Sequence, residues 1–158
     1  VQGAGSRVGA VSLIIEGLNQ TDRDAWEALF RAYIEFYGRE EPQSMYDRAW
    51  AEFRRGRQLH ALAARLDGNL VGIAHFVVHP STSSADVCYL QDMFTAPDAR
   101  GQGAGRALID AVVTWARNHG CARVYWQTKA DNTTARRLYD SVTDVSDFVV
   151  YRLAVPPR

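Results

Sequence analysis

Cysteine is scarce: Cys88 and Cys121 are the only two in 158 residues, too few for a disulfide framework. No apolar run approaches the roughly 18 residues that cross a bilayer, so no membrane partner is expected. The opening Val1-Gln2-Gly3-Ala4-Gly5-Ser6-Arg7 has no apolar signal core. Charge of one sign is lacking too: 18 Lys and Arg balance 18 Asp and Glu. The basic footprint of a nucleic-acid binder is therefore missing. Together these absences predict a cytoplasmic protein. Repeats, low-complexity tracts and internal linkers are likewise missing. What remains is ordinary globular composition, 47% apolar and 23% charged, over a length that suits one domain. Residues 1–10 read as a flexible lead or tag remnant, and residues 11–158 as a single domain.

The patterning alternates between the two regular periods. Val11 to Glu16 is aliphatic and β-branched, a first strand. Thr21-Asp22-Arg23-Asp24 resembles a capping box and precedes Ala25, Trp26, Leu29, Phe30, Tyr33, Ile34 and Tyr37, an amphipathic helix that Gly38 ends. A second helix is predicted from about Met45 to Arg55. Leu59–Leu66 and Leu70–Val78 flank Asp67-Gly68-Asn69, a hairpin signal. Val87–Thr95 is a further strand. A strongly periodic helix with Ala104, Leu108, Ala111, Val112, Trp115 and Ala116 on one face ends at Gly120. Arg123–Thr128 reads as a strand, Asn132 to Tyr139 as a short capped helix, and Phe148–Val155 as a last strand. Hairpin-linked strands followed by a strand–helix–strand crossover imply one mixed α/β sheet with helices on its faces.

Chemistry concentrates in Arg100-Gly101-Gln102-Gly103-Ala104-Gly105, between a strand and a long helix. Glycine lets backbone N–H groups converge, and the helix adds unpaired N–H groups with partial positive charge. An anion, most naturally a phosphate, is the expected occupant. Arg100 and Arg106 bracket the loop. Arg106-Ala107 follows the last glycine, so a Walker A ending is missing, and G-x-G-x-G falls short of the dinucleotide fingerprint. By glycine spacing alone, a tight turn without ligand stands beside the phosphate reading.

The loop resembles the R/Q-x-x-G-x-G/A signature of the GCN5-related N-acetyltransferase (GNAT) superfamily. It follows the strand Cys88-Tyr89-Leu90-Gln91-Asp92-Met93-Phe94-Thr95, and Asn132-Thr133-Thr134-Ala135-Arg136-Arg137-Leu138-Tyr139 resembles the family's N-x-x-A-x-x-L-Y helix. The resemblance implies a mostly antiparallel sheet of about six or seven strands flanked by about four helices. It also implies acetyl-CoA as cosubstrate, with Gln102, Gly103, Ala104, Gly105 and Arg106 on its pyrophosphate. Arg100 and Gly101 complete the cofactor loop. Met93, Phe94 and Thr95 fall on the pantetheine arm, beside a splay in the sheet, and Asn132 on a position that touches that arm. Tyr139 matches a tyrosine that protonates the leaving thiolate. The Tyr-Leu-Gln-Asp-Met-Phe-Thr stretch is most similar to the histone and polyamine acetyltransferase-like branch, and the family often forms homodimers. Ser141 to Asp147 departs from the family's pattern.

Transfer to an amine needs a proton acceptor, because an alkyl amine with a pKa of about 10 is mostly charged at neutral pH. Asp92, in the strand beside the expected thioester, is the first candidate. Glu35, Tyr37, Glu40 and Glu41, with Asp92, are candidates to line a pocket for a cationic amine, on a small molecule or a lysine side chain. Other features read as structural. His75 and His79 lie about 13 Å apart along a strand, too far for one zinc ion, so no metal is expected. The cysteines and Trp26, Trp50, Trp115 and Trp126 suit a core, and Lys129, Arg136 and Arg137 a solvated surface. The reading is an acetyl-CoA-dependent N-acetyltransferase with direct amine attack. A non-catalytic acyl-CoA sensor and a transferase of another acyl group stand as alternatives.

Overall fold

The structure is a computed structural model and describes residues 11–157. The lead expected at residues 1–10 lies outside them. The chain divides into two compact units, the first ending at Gln127 and the second beginning at Thr128.

The first unit is built on a five-stranded sheet in sequence order. Its strands are β1 (Leu13–Gly17), β2 (Leu59–Leu66), β3 (Asn69–His79), β4 (Val87–Thr95) and β5 (Arg123–Tyr125). β1 to β4 pair antiparallel, whereas β4 and β5 run parallel across a helical crossover. The β2–β3 hairpin closes on the two residues Asp67 (φ 49°) and Gly68 (φ 84°), both left-handed. That is the type I′ geometry whose twist matches the flanking strands.

Helices cover both faces. α1 (Arg23–Phe36) and α2 (Gln43–Arg55) lie on one face, and α3 (Ala104–Asn118) on the other. α1 buries Trp26, Phe30 and Ile34, spaced four apart, and these pack with Tyr46 of α2, Ile73 of β3 and Phe94 of β4. Each such side chain contributes about 1.5–3 kcal/mol when fully buried. α3 buries Leu108, Ile109, Val112 and Ala116, and its Trp115 lies against Phe76 at 4.9 Å between ring centroids. The capping box sits two residues earlier than the sequence suggests: Asn19 and Asp22, rather than Thr21 and Asp24, exchange the reciprocal bonds at a 3₁₀ turn. Asp22 is also held by Arg65 of β2 at 2.7 Å, so its carboxylate ties that turn to the sheet.

The second unit contains α4 (Thr133–Asp140), capped by Asn132. Here the expected six or seven strands reduce to five among the described residues. The strand predicted at Arg123–Thr128 stops at Tyr125, and Phe148–Val155 forms no ladder. Phe148 and Tyr151 are 89% and 93% exposed. β-branched and aromatic residues favour a strand only where a neighbouring strand supplies the ladder, and that partner is not encoded locally.

Candidate active site

β4 changes character halfway along. From Val87 to Leu90 it pairs with β3 on one side, and as far as Tyr89 it pairs with β5 on the other. Beyond Tyr89 the β5 ladder ends, while β4 continues to Thr95 beside β3. One edge of Leu90 to Thr95 therefore faces an opened seam, in unit one. The β3–β4 ladder is bulged at the same place. Phe76 pairs with Leu90 and His75 with Asp92, so exposed Gln91 is the inserted residue. An unbulged ladder would set Gln91 opposite His75; the bulge puts Asp92 there instead, a common way to re-aim a side chain.

Asp92 consequently faces α1. Its Oδ2 lies 3.0 Å from Nδ1 of His75, which is 1% exposed. The Trp26 indole N–H donates to His75 Nε2 at 2.8 Å. Phe30 and Phe53 enclose the imidazole, each at 4.7 Å between centroids. Asp92 itself keeps 15% side-chain exposure, so the buried network ends at a carboxylate that reaches the surface. Sequence reading passed over this role for His75 and Trp26. The signal was the β3–β4 register, but counting back from the hairpin loop without the bulge lands on Gln91.

Past Thr95 a 3₁₀ turn (Pro97–Ala99) leads to the glycine loop. Gly101 (φ 76°) and Gly103 (φ 86°) are left-handed, a conformation other residues adopt at a cost of about 1–3 kcal/mol. A Cβ placed on either would meet nothing within 4 Å, so the loop's outer side is open. Gly103 offers the helix no side-chain cap, and the first backbone bond into α3 runs from Ala107 N–H to Gly103 carbonyl at 3.0 Å. Gln102, Ala104, Gly105 and Arg106 thus present main chain around an uncapped helix start, which suits an anion. The bracketing arginines have local duties. Arg100 Nε donates to the Thr95 carbonyl at 3.1 Å, with its guanidinium 5.5 Å from the Phe94 ring, and ties the loop to β4. Arg106 pairs with Asp110 on the exposed side of α3.

The remaining candidates are distributed more widely. Met93 pairs with Ala74, and Phe94 with Ile73. Phe94 contacts Tyr33 of α1 at 6.1 Å, and Tyr33 contacts Tyr37 at 5.1 Å, so a line of rings runs from β4 to the end of α1. Tyr33, unlike Tyr37, was not singled out from sequence. Glu35 and Glu40 are exposed, and Glu41 is ion-paired with Arg39. In the second unit, Asn132 spends its amide on α4: Oδ1 accepts from Ala135 N–H at 3.4 Å and Nδ2 donates to Thr128 Oγ1 at 3.1 Å. Tyr139 is half-buried on α4.

Other expected chemistry stays structural. His79 is half-buried and bonded to Tyr125 and Pro80, away from the His75 network. No cluster of metal-binding side chains occurs among the described residues. Burial pushes the Cys88 thiol up to about 12, so it is an inert core residue. No helix of the described residues is long and apolar enough to cross a membrane. A cavity of about 370 Å³ lies at the β2 edge, between Trp50, Phe53, His60 and Trp115. Neither Asp92 nor the glycine loop lines it.

Residues 26–142 match the Acetyltransferase (GNAT) family. The chain belongs to this family. It is an acetyl-CoA-dependent N-acetyltransferase, and the glycine loop fits the phosphates of that cosubstrate: left-handed glycines, open outer space and an uncapped helix coincide there. The match spans both units. Among relatives, the chain is 30% identical over 144 residues to D-amino-acid N-acetyltransferase HPA3 of Saccharomyces cerevisiae, covering 89% of each. It is 31% identical over 111 residues to aminoglycoside N(6')-acetyltransferase type 1 of Klebsiella aerogenes, covering 65% of this chain and 73% of that one. The fold is similar to that of aminoglycoside N-acetyltransferase AAC(6')-Iy in complex with CoA, with TM-score 0.80, 21% identity, and 94% and 99% of the two chains covered.

Proposed function

We propose that this acetyltransferase transfers the acetyl group to the primary amine of a small cationic molecule. The observation that carries the reading is the half of β4 without a β5 partner, with Asp92 at its start and the glycine loop after its end. The relatives' names support a small acceptor: one acts on D-amino acids, the other on aminoglycosides. Glu35, Glu40, Glu41 and Asp92 supply negative charge for an ammonium group, and Tyr37 an aromatic face.

In this reading acetyl-CoA supplies an activated acyl group, held through its phosphates by backbone N–H groups of Gln102 to Arg106. Met93, Phe94 and Thr95 offer main chain along the seam, and Asn132 is a further contact. The ammonium group first gives up one proton to solvent; the neutral nitrogen then forms a bond to the acyl carbon while the carbon–sulfur bond breaks. The nitrogen's surplus proton, far more acidic once the new bond forms, passes to the Asp92 carboxylate. The thiolate takes a proton from the Tyr139 phenol, whose ordinary pKa near 10 suits that transfer. Acceleration comes from positioning and from fixed charges rather than from a covalent enzyme intermediate. Residues 11–158 act as one catalytic domain in this proposal. A homodimer is part of it, supported by the exposed apolar run from Phe148 to Val155, and a cytoplasmic setting by the two free cysteines.

The test is thiol release from acetyl-CoA against D-amino acids, aminoglycosides, polyamines and lysine peptides. Turnover is expected with a small cationic amine. Turnover confined to lysine peptides would overturn the acceptor class. With the best acceptor, Tyr139→Phe should lower kcat about tenfold or more at unchanged coenzyme affinity; undiminished kcat would remove Tyr139 from the reaction.

A further inference from the structure

Three side chains from three elements meet in the sheet: Trp26 of α1, His75 of β3 and Asp92 of β4. The indole N–H is a donor only. At 2.8 Å from Trp26 Nε1, His75 Nε2 must therefore offer a lone pair. A neutral imidazole carries one ring proton, so that proton sits on Nδ1 and points at Asp92 Oδ2, 3.0 Å away. A second proton on the ring would set an Nε2–H donor against the indole donor in a site that is 1% exposed. The indole thus selects the tautomer, and the tautomer fixes the direction of the bond to Asp92.

The surroundings leave the ring no competing partner. α1 presents Phe30 and α2 presents Phe53, neither of which titrates. Arg23 lies 5.2 Å from the Trp26 ring, on the indole's side of the network, and its guanidinium is itself paired with Glu27 and with Asp47 at 2.6 Å. Among the described residues Asp92 is the one carboxylate bonded to the imidazole, and its other oxygen, Oδ1, takes no part in that bond.

We infer that His75, with its tautomer set by Trp26, is a positioning residue that holds Asp92 turned so that Oδ1 meets the acceptor amine. The inference rests on Asp92 being the proton acceptor proposed above. A carboxylate whose rotamer is fixed by a buried partner needs no search for its reactive orientation. His75 itself neither gains nor loses a proton in the reaction. Its Nδ1–H stays in place while Asp92 receives the amine's proton and later returns it to solvent.

Two substitutions separate positioning from packing, because each side-chain amide copies a different ring nitrogen. His75→Asn places an N–H where Nδ1 was and keeps the bond to Asp92, but abandons the indole. His75→Gln places an acceptor where Nε2 was and keeps the indole bond, but abandons Asp92. With the best acceptor of the amine panel, His75→Gln should lower kcat about tenfold or more at unchanged KM for acetyl-CoA, and His75→Asn should recover most of the loss. Equal losses in both, or a greater loss in His75→Asn, would overturn the inference. In an Asp92→Asn background, His75→Gln should cost nothing further; an undiminished additional loss would also overturn it. The two readings fail separately: a slow Asp92→Asn enzyme with a fully active His75→Gln enzyme sinks only the role of His75, whereas a fully active Asp92→Asn enzyme sinks the base and its positioning together. Long-range nitrogen–proton spectra of histidine-labelled wild-type protein give a readout that needs no acceptor. They should show Nδ1 protonated and Nε2 bare at His75; a proton on Nε2 would overturn the assignment.

Discussion

Two neighbouring rows of side chains cross the middle of the sheet, and each contains a histidine set near a tryptophan. In one row His60, Phe76 and Leu90 stand opposite one another on β2, β3 and β4. His60 lies 5.4 Å from the Phe76 ring and 4.5 Å from that of Trp115 on α3. In the next row, Ala61, His75 and Asp92 stand opposite one another and face α1. The residue types are alike, but the outcomes are not. Burial pushes the His60 imidazole below its ordinary value, a backbone bond with Arg57 opposes that, and His119 adds to it. It behaves as an aromatic packing residue. His75 has a defined partner on each ring nitrogen, one of them a carboxylate that reaches the opened half of β4. The contrast teaches that a buried histidine acquires a chemical role from what its two nitrogens meet, and here a one-residue bulge between the rows supplies the difference.

The largest expected effect is in the second row. Asp92→Asn is nearly isosteric and should lower kcat by about 10²–10⁴-fold, the usual range for loss of a general base, while thermal unfolding stays close to wild type. A rate within threefold of wild type, measured by thiol release, would erase the chemical distinction between the rows. The first row should answer in stability instead. Leu90→Ala removes a side chain that is 3% exposed and should cost about 2–5 kcal/mol, read by urea unfolding. Its kcat should change little, and neighbouring Cys88, buried and inert in the native state, should alkylate faster as the row opens more often. A large kcat loss with little change in stability would reverse the assignment of the two rows.

A change beyond the open half sharpens its purpose. Gly103→Val meets no neighbour within 4 Å, so any loss comes from the left-handed backbone and from the bulk set where a phosphate would approach. Titration calorimetry should show coenzyme A binding at least about tenfold weaker, with the fold retained. The smallest effect is the pH response of His60. Its imidazole titrates below the ordinary value of 6.5 when folded, so the unfolded chain binds the proton first as pH falls. The stability due to its neutral form is complete above about pH 6.5 and is lost on acidification through the lower, folded value. His60→Phe, which keeps the ring stack, should flatten the decline in unfolding free energy just below that pH and leave turnover unchanged.

Much of this was legible in the chain. The period of α1 identified Trp26, Phe30 and Ile34 as a buried face, and the glycines after β4 marked a left-handed loop, because helix faces and left-handed turns are local properties. The Asp67-Gly68 turn was readable for the same reason. The apolar run at Phe148–Val155 misled, since its composition is that of a strand and a strand is half of a pair. The role of His75 was invisible, because along the chain it is 17 residues from Asp92 and 49 from Trp26.

The sequence by itself determined the family, the helices, the hairpin and the glycine turn, all of which depend on residue types at short, fixed spacings. Tertiary structure alone decided which carboxylate meets the buried imidazole. That choice depends on a bulge that shifts one ladder by one residue and on an indole arriving from a separate helix. Neither bulge nor indole is specified by local pattern; both follow from how the sheet and α1 pack around the same imidazole.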